Sequence, residues 1–297
     1  MYAGPVVDAH HHFWRKDDLP WLAGPPLPRI FGEYSAIRRD YTLEEFIAET
    51  RPCDVNRSVY VQANWPAERS VDEVRWVQQE AERNGFPVAI VGYADLSRPE
   101  VGEVLDRELE TPGLRGIRQQ LHWHTNPLYK FASAPDLFNT ADWRRGLREV
   151  QSRGLLFELQ VFAGQMAKAT ELASAFPDAT FVLLHAGMLE DRSPEGWRLW
   201  RKGMRELAAR ENVCTKLSGL GTFERTCSET LWKPVVYETL EIFGAKRCLY
   251  GSNFPIEKLW TSYGTLFNTM RGLLKHLSPD EQRSIFWDNA SRLYFEG

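Results

Sequence analysis

The stretch Val6-Val7-Asp8-Ala9-His10-His11-His12-Phe13-Trp14 decides the fold. Its β-branched start reads as a strand. The rival architecture, a two-domain Rossmann arrangement, wants a Gly-rich turn at the end of such a strand, so that a pyrophosphate can rest on a helix N-terminus. Here three histidines and two aromatics stand in that place. Seven more β-rich runs follow, over 57–63, 87–94, 114–121, 155–162, 180–186, 213–217 and 248–251. Between them lie stretches of helical period. Ser70-Val71-Asp72-Glu73 and Thr42-Leu43-Glu44-Glu45 read as capping boxes, the first opening a helix that stops at Gly85. Further helices are expected over 143–153, 165–176, 195–210, 231–243, 266–277 and 279–287. Eight strand–helix units in 297 residues, about 37 each, point to an α/β chain folded as a single (β/α)8 TIM barrel over residues 1–297.

Composition narrows the function. Hydrophobic residues make up 43% and the formal net charge is -4, which excludes a disordered chain. A near-neutral balance offers no electrostatic footprint for nucleic acid. No apolar run approaches the roughly 18 residues a membrane span needs. The four cysteines, Cys53, Cys214, Cys227 and Cys248, show no CxxC spacing and read as free thiols of a reducing compartment. With no signal-peptide pattern at the start, the expected location is the cytoplasm. The eleven tryptophans are an excess. Six fall on expected helices, while Trp14, Trp21, Trp65, Trp123 and Trp260 fall after strand ends and are expected on the face where barrels place their active sites. An aromatic wall there suits a flat or ring-shaped ligand.

The strand ends carry the chemistry. By alternation Asp8, His10 and His12 share one face of the first strand. The His-x-His spacing suits a divalent metal; the alternative is a pair of hydrogen-bonded core histidines oriented by Asp8. His185 ends the sixth run at the same end of the barrel. Gln62 and Asn64 follow strand two; Arg118, Gln120 and His122 share a face of strand four. Glu158 and Gln160 lie on strand five, Lys216 and Ser218 on strand seven, and strand eight runs into Gly251-Ser252-Asn253-Phe254-Pro255. Together they describe a polar pocket with a positive component. Two long connections, from 13 to 41 and from 122 to 140, leave the same ends and are expected to act as lids or binding loops.

These residues resemble the amidohydrolase superfamily. Asp8-Ala9-His10-His11-His12, His185 and Gly251-Ser252-Asn253-Phe254-Pro255 are similar to its motifs. More narrowly the chain looks like the amidohydrolase-related branch that contains the L-fuconolactone, L-rhamnonolactone and 2-pyrone-4,6-dicarboxylate lactonases. Gly116-Ile117-Arg118, Leu121-His122-Trp123-His124, Lys216-Leu217-Ser218-Gly219 and the final Asn289-Ala290-Ser291-Arg292-Leu293-Tyr294 add to the likeness, which spans nearly the whole chain. The resemblance implies a hydrolase that opens a lactone of a sugar acid or small ring carboxylate. It implies that His10, His12 and His185 polarise the carbonyl, directly or as ligands of one zinc ion, with no organic cofactor. Water is then the nucleophile, oriented by Asn253 and deprotonated by Glu158 or His124. Arg118, Lys216, Gln160, Gln62, Trp123 and His122 are the expected contacts to a small anionic substrate. One departure stands out. The branch commonly ends strand eight in Gly-Ser-Asp-x-Pro, and here Asn253 takes the place of the Asp, so the usual proton acceptor is a neutral amide. Two other readings therefore remain: a decarboxylase or hydratase on the same barrel, and a ligand-binding barrel without catalysis.

Overall fold

The computed structural model describes residues 2–296. Its eight strands are β1 (Val6–His11), β2 (Val55–Val61), β3 (Val88–Gly92), β4 (Leu114–Ile117), β5 (Leu156–Leu159), β6 (Phe181–Leu183), β7 (Val213–Leu217) and β8 (Cys248–Tyr250). They form one parallel sheet in sequence order. β1 meets the segment after β8 through a bridge between His11 and Phe254, with hydrogen bonds from Asn253 N to His10 O and from His12 N to Phe254 O, both 2.7 Å. The expected (β/α)8 barrel is thus formed. Among the described residues no helix is long and apolar enough to cross a membrane, and all four cysteines are free thiols.

The strand side chains divide into two apolar layers, as the pleat requires. Val7, Ala9, Val59, Val61, Ala89, Val91, Leu156, Val182, Cys214 and Leu249 turn inward. Ala290 and Tyr294, on the closing helix Asn289–Tyr294, join this inner cluster and plug one end of it. The alternating set, including Tyr60, Ile90, Ile117, Phe157, Phe181 and Val213, packs outward against helix residues such as Trp143, Trp200 and Trp232. These three tryptophans are almost fully buried, which accounts for much of the tryptophan excess as packing of helices on the barrel.

Two local expectations need correction. The register of β1 on β2 slips between Asp8 and His11, where three steps on one strand face two on the other. This bulge breaks the alternation, so Ala9 and His10 both turn inward. Asp8 does not share the face of His10 and His12. Its Oδ2 accepts from Tyr263 Oη at 3.0 Å on the helix Tyr263–Leu274, and its Oδ1 accepts from Ser252 N at 2.9 Å and His10 N at 3.1 Å. It therefore clasps β1 to the segment after β8. His11 faces outward, stacked on Phe46 with its Nε2 2.8 Å from Ser58 Oγ. The second correction concerns Ser70, which lies inside the helix Ser70–Asn84 and caps nothing. The Glu73 carboxylate of the expected box instead accepts from Tyr60 Oη at 2.7 Å and Ala63 N at 2.6 Å. The Thr42 cap does form, accepting from Glu45 N at 3.1 Å. The last expected helix, over 279–287, is a short helix Pro279–Arg283 followed by a π turn at Ser284–Asp288.

Glu108, on the helix Val101–Leu109, offers a stability test. It is fully buried, and burial pushes its carboxyl up to about 8 against the opposing influence of Ser70. A folded-state value above the ordinary 4.5 means that the folded chain keeps a proton the unfolded chain gives up. Stability is then lost as pH rises from about 4.5 to about 8, at roughly 1.4 kcal/mol per unit at most. Glu108→Gln should raise the melting temperature at pH 8, with a gain that shrinks toward pH 5. A gain equal at both pH values would show that the carboxyl does not titrate in this window.

Candidate active site

A cavity of about 210 Å³ opens among the C-terminal ends of the strands. His12, Arg118, Gln120, His122, Gln160, His185 and Asn253 reach it from the barrel. Trp14, Trp21, Arg29 and Phe31 come from the long loop after β1, and Leu128, Lys130 and Phe131 from the loop after β4. Both loops are tied down. Trp14 N and Tyr41 O, and Tyr41 N and Trp14 O, pair at 2.7 and 3.0 Å, while Trp21 Nε1 donates to Ala63 O at 2.9 Å. Gln165 Nε2 donates to Leu121 O and Pro135 O, both at 2.9 Å, holding the base of the second loop.

The backbone is shaped to aim these groups. Asn64, His185, Met188 and Asn253 all line the cavity with φ between 50 and 65°, a left-handed conformation uncommon outside glycine. Gly219, itself at φ 58°, lies so close to His185 that a Cβ would sit 2.5 Å from the ring Nδ1. Only glycine leaves room for that imidazole.

Three imidazoles meet here: His12 and His185 line the floor of the cavity, and the fully buried His10 ring touches both without lining it. The His10 ring is 5.2 Å from His12 and 4.7 Å from His185, centroid to centroid. His12 Nδ1 lies 2.6 Å from Val61 O, and His185 Nδ1 lies 2.9 Å from Ser218 Oγ. Both His10 ring nitrogens are without hydrogen-bond partners. Burial is the first cause that holds all three rings below the ordinary histidine value, and His12 is pushed down to about 3. The Arg118 guanidinium adds to the effect on each ring. The floor therefore presents neutral imidazoles at neutral pH. Their chemistry suits a divalent cation, but among the described residues no three His, Cys, Asp or Glu side chains converge as a metal site requires. As arranged, the three rings do not form that site.

Arg118 is 3% exposed, and burial lowers its guanidinium to about 10. One of its nitrogens donates to Gln62 O and another reaches Gln160 Oε1 at 3.4 Å. Arg29 lies 5.4 Å over the Trp21 ring and Lys130 lies 6.0 Å over Trp123, both at the mouth. Among the described residues the lining thus holds three permanent cations and no carboxylate.

Several expected site residues lie elsewhere. Lys216 does not reach the cavity; it is fully buried in an ion pair with Glu158, whose Oε1 also accepts from Tyr294 Oη at 2.7 Å. Glu158 Oε2 is 3.9 Å from His10 Nδ1, so the carboxylate stands one imidazole behind the floor. The Gln62 side chain caps its own loop, accepting from Asn64 N at 2.7 Å. Trp123 and His124 line a neighbouring cleft of about 300 Å³. Of the five tryptophans expected on this face, Trp14 and Trp21 line the cavity, whereas Trp65 stacks on Trp76 and Trp260 donates to Glu257. Arg29, Lys130 and Glu257 were not singled out in the sequence. The first two lie in the two long loops, where a search for isolated cations would have found them.

The comparisons with known proteins agree with the fold. The chain is 35% identical to the uncharacterized protein y4mH of Sinorhizobium fredii, over 97% of this chain and 98% of that protein. It is 28% identical to an L-fucono-1,5-lactonase of Burkholderia multivorans, over 97% and 95% of the two chains. The crystal structure of an amidohydrolase from Burkholderia multivorans with bound zinc superimposes with a TM-score of 0.83 at 26% identity, covering 98% of this chain and 99% of that one. The amidohydrolase family model matches residues 7–295. The chain belongs to the amidohydrolase family and is a hydrolase.

Proposed function

We propose that the protein opens a small lactone bearing a negative charge, with water as nucleophile, in the cytoplasm. The observation that carries this reading is a ring-sized cavity lined by three cations and no carboxylate, over a floor of neutral imidazoles. Arg29 and Lys130 at the mouth receive the substrate carboxylate, and Trp14 and Trp21 pack on the ring. Arg118 faces the lactone carbonyl and stabilises the oxyanion that forms on attack. His185 is the group placed to take the proton of the water. Its Nδ1 is engaged by Ser218, which leaves Nε2 free toward the cavity. His10 stands beside it, and Glu158 lies beyond, its Oε2 3.9 Å from His10 Nδ1. The low basicity of these buried rings costs rate, and the electrostatic groups around them must supply the larger part of the acceleration. The likeness to lactonases supports this chemistry over decarboxylation or hydration, and over binding without turnover.

The reading runs through the chain's own groups, since among the described residues no three His, Cys, Asp or Glu side chains are arranged as a metal site. A ring-opening assay on pyrone carboxylates, uronic-acid lactones and neutral aldonolactones, run with and without a chelator, tests it. Turnover is expected on the charged lactones, with neutral ones at least about tenfold slower, one lost charge contact being worth on the order of 1.5 kcal/mol or more. Activity should survive the chelator. No ring opening across the panel would sink the function, and loss of activity on chelation that zinc restores would sink the metal-free route.

A further inference from the structure

Three successive carbonyls where β2 ends each hold one side chain of the cavity. Val61 O lies 2.6 Å from His12 Nδ1, Gln62 O accepts from the Arg118 guanidinium, and Ala63 O accepts from Trp21 Nε1 at 2.9 Å. Val61 O can only accept, so His12 carries its ring proton on Nδ1. A peptide unit is planar, so a carbonyl aims only as well as the N–H of the same plane is held. Each of the three planes is held by a different partner. Gln62 N, in the plane of Val61 O, donates to Val91 O of β3 at 2.8 Å. Asn64 N, in the plane of Ala63 O, donates to Gln62 Oε1 at 2.7 Å. The middle plane carries Gln62 O on one edge and Ala63 N on the other, and Ala63 N donates to Glu73 Oε1 at 2.6 Å. Glu73 is 1% exposed in the first turn of the helix Ser70–Asn84, and the same oxygen accepts from Tyr60 Oη at 2.7 Å. One rigid peptide thus separates a buried carboxyl from the guanidinium that faces the cavity.

We propose that Glu73 is a positioning residue for Arg118: by holding the Ala63 N–H it fixes the peptide plane whose carbonyl aims the guanidinium. This rests on the lactone-opening reading, in which Arg118 stabilises the oxyanion. The pairing of β2 with β3 ends at Val61 and Val91, so the sheet itself does not fix the middle plane. Glu73 supplies that missing bond from the helix side of the strand. Without it the plane is free to tilt, and the guanidinium follows its carbonyl. The other contact of Arg118, to Gln160 Oε1 at 3.4 Å, is too long to hold the fork in place by itself. His12 is the internal control, because its carbonyl belongs to the plane that Val91 holds.

The test is a double-mutant cycle between Glu73→Met and Arg118→Met, with Glu73→Gln, Glu73→Asp and Tyr60→Phe beside it. Glu73→Met should lower kcat by roughly 10- to 100-fold with KM within about threefold, the loss expected when a catalytic group is misaligned rather than removed. Glu73→Gln keeps an oxygen for Ala63 N and should stay within about threefold of wild type. Glu73→Asp withdraws that oxygen by one methylene and should lose activity in the same sense, to a smaller degree. Tyr60→Phe removes only the second bond to Glu73 and should leave kcat within about threefold. In the Arg118→Met background Glu73→Met should cost no more than about threefold further, because the group it positions is gone. Losses that multiply in the cycle overturn the proposal, as does a loss in Tyr60→Phe equal to that in Glu73→Met. A readout without substrate runs in parallel. By NMR the Arg118 guanidinium protons should exchange faster with water in Glu73→Met and Glu73→Asp than in wild type, while the His12 Nδ1 proton is unchanged. Unchanged Arg118 exchange overturns the proposal whether or not any lactone is turned over. Faster Arg118 exchange without lactone turnover supports the positioning and rejects only the lactone substrate.

Discussion

Arg118→Met is expected to lower kcat/KM on charged lactones by roughly 10²- to 10³-fold while the chain stays folded. The magnitude is that of removing one preorganised donor from a developing oxyanion in a water-poor site. The guanidinium is positioned for this role by a carbonyl rather than by a carboxylate: it donates to Gln62 O and reaches Gln160, and among the described residues no salt bridge holds it. Its charge is therefore available to the substrate. Arg118→Lys keeps the charge but not the planar fork, and should fall between wild type and the methionine variant. A second readout is independent of turnover. The Arg118 charge contributes, after burial, to the low values of His12, His122 and His185. In Arg118→Met those rings should titrate at higher pH by NMR, although burial keeps them below the ordinary value. Activity within about threefold of wild type would remove Arg118 from the site.

Lys216→Met is expected to lower the melting temperature by about 10 °C. The ammonium and the Glu158 carboxylate are both fully buried and paired, and Tyr294 completes the carboxylate's hydrogen bonds. Removing one partner strands a charge in the barrel interior, which typically costs 3–5 kcal/mol. At roughly 2–4 °C per kcal/mol for a large domain, that gives the predicted shift. Burial lowers the Lys216 ammonium against the opposing pull of Glu158, so the pair stands as one unit. The double variant Lys216→Met with Glu158→Gln should recover at least half of the loss, because the stranded charge is gone. A double variant no more stable than the single one would show that the pair is not the source of the destabilisation. Thermal unfolding of the three proteins at one pH measures both outcomes.

The barrel was legible in the sequence because it repeats one unit. Each strand is a short apolar run and each helix a longer amphipathic one, so periodicity alone separates them. His12, Arg118, His122, Gln160, His185 and Asn253 were legible for a related reason: a polar residue at the end of an apolar strand has no packing role to explain it. Alternation failed at Asp8, since a bulge in β1 depends on how two strands 50 residues apart take up register. At Lys216 and Glu158 alternation gave the face but not the depth. Both lie on the inward face with the cavity residues, but each satisfies the other one layer deeper, at the level where Tyr294 enters. Ser70 failed as a cap because Glu73 found Tyr60 and Ala63 across the helix–sheet interface, and a long-range hydrogen bond outweighed a local one.

By itself the sequence determined the fold class, the end of the barrel that carries the chemistry, and the hydrolase family. Those follow from period, polarity and motif, which are local properties of the chain. Tertiary structure alone decided which polar groups reach the cavity and which are spent on one another. It brought Arg29 and Lys130 to a common mouth from loops about 100 residues apart. Whether a buried polar group is paired or open to a ligand depends on partners that only the closed barrel assembles.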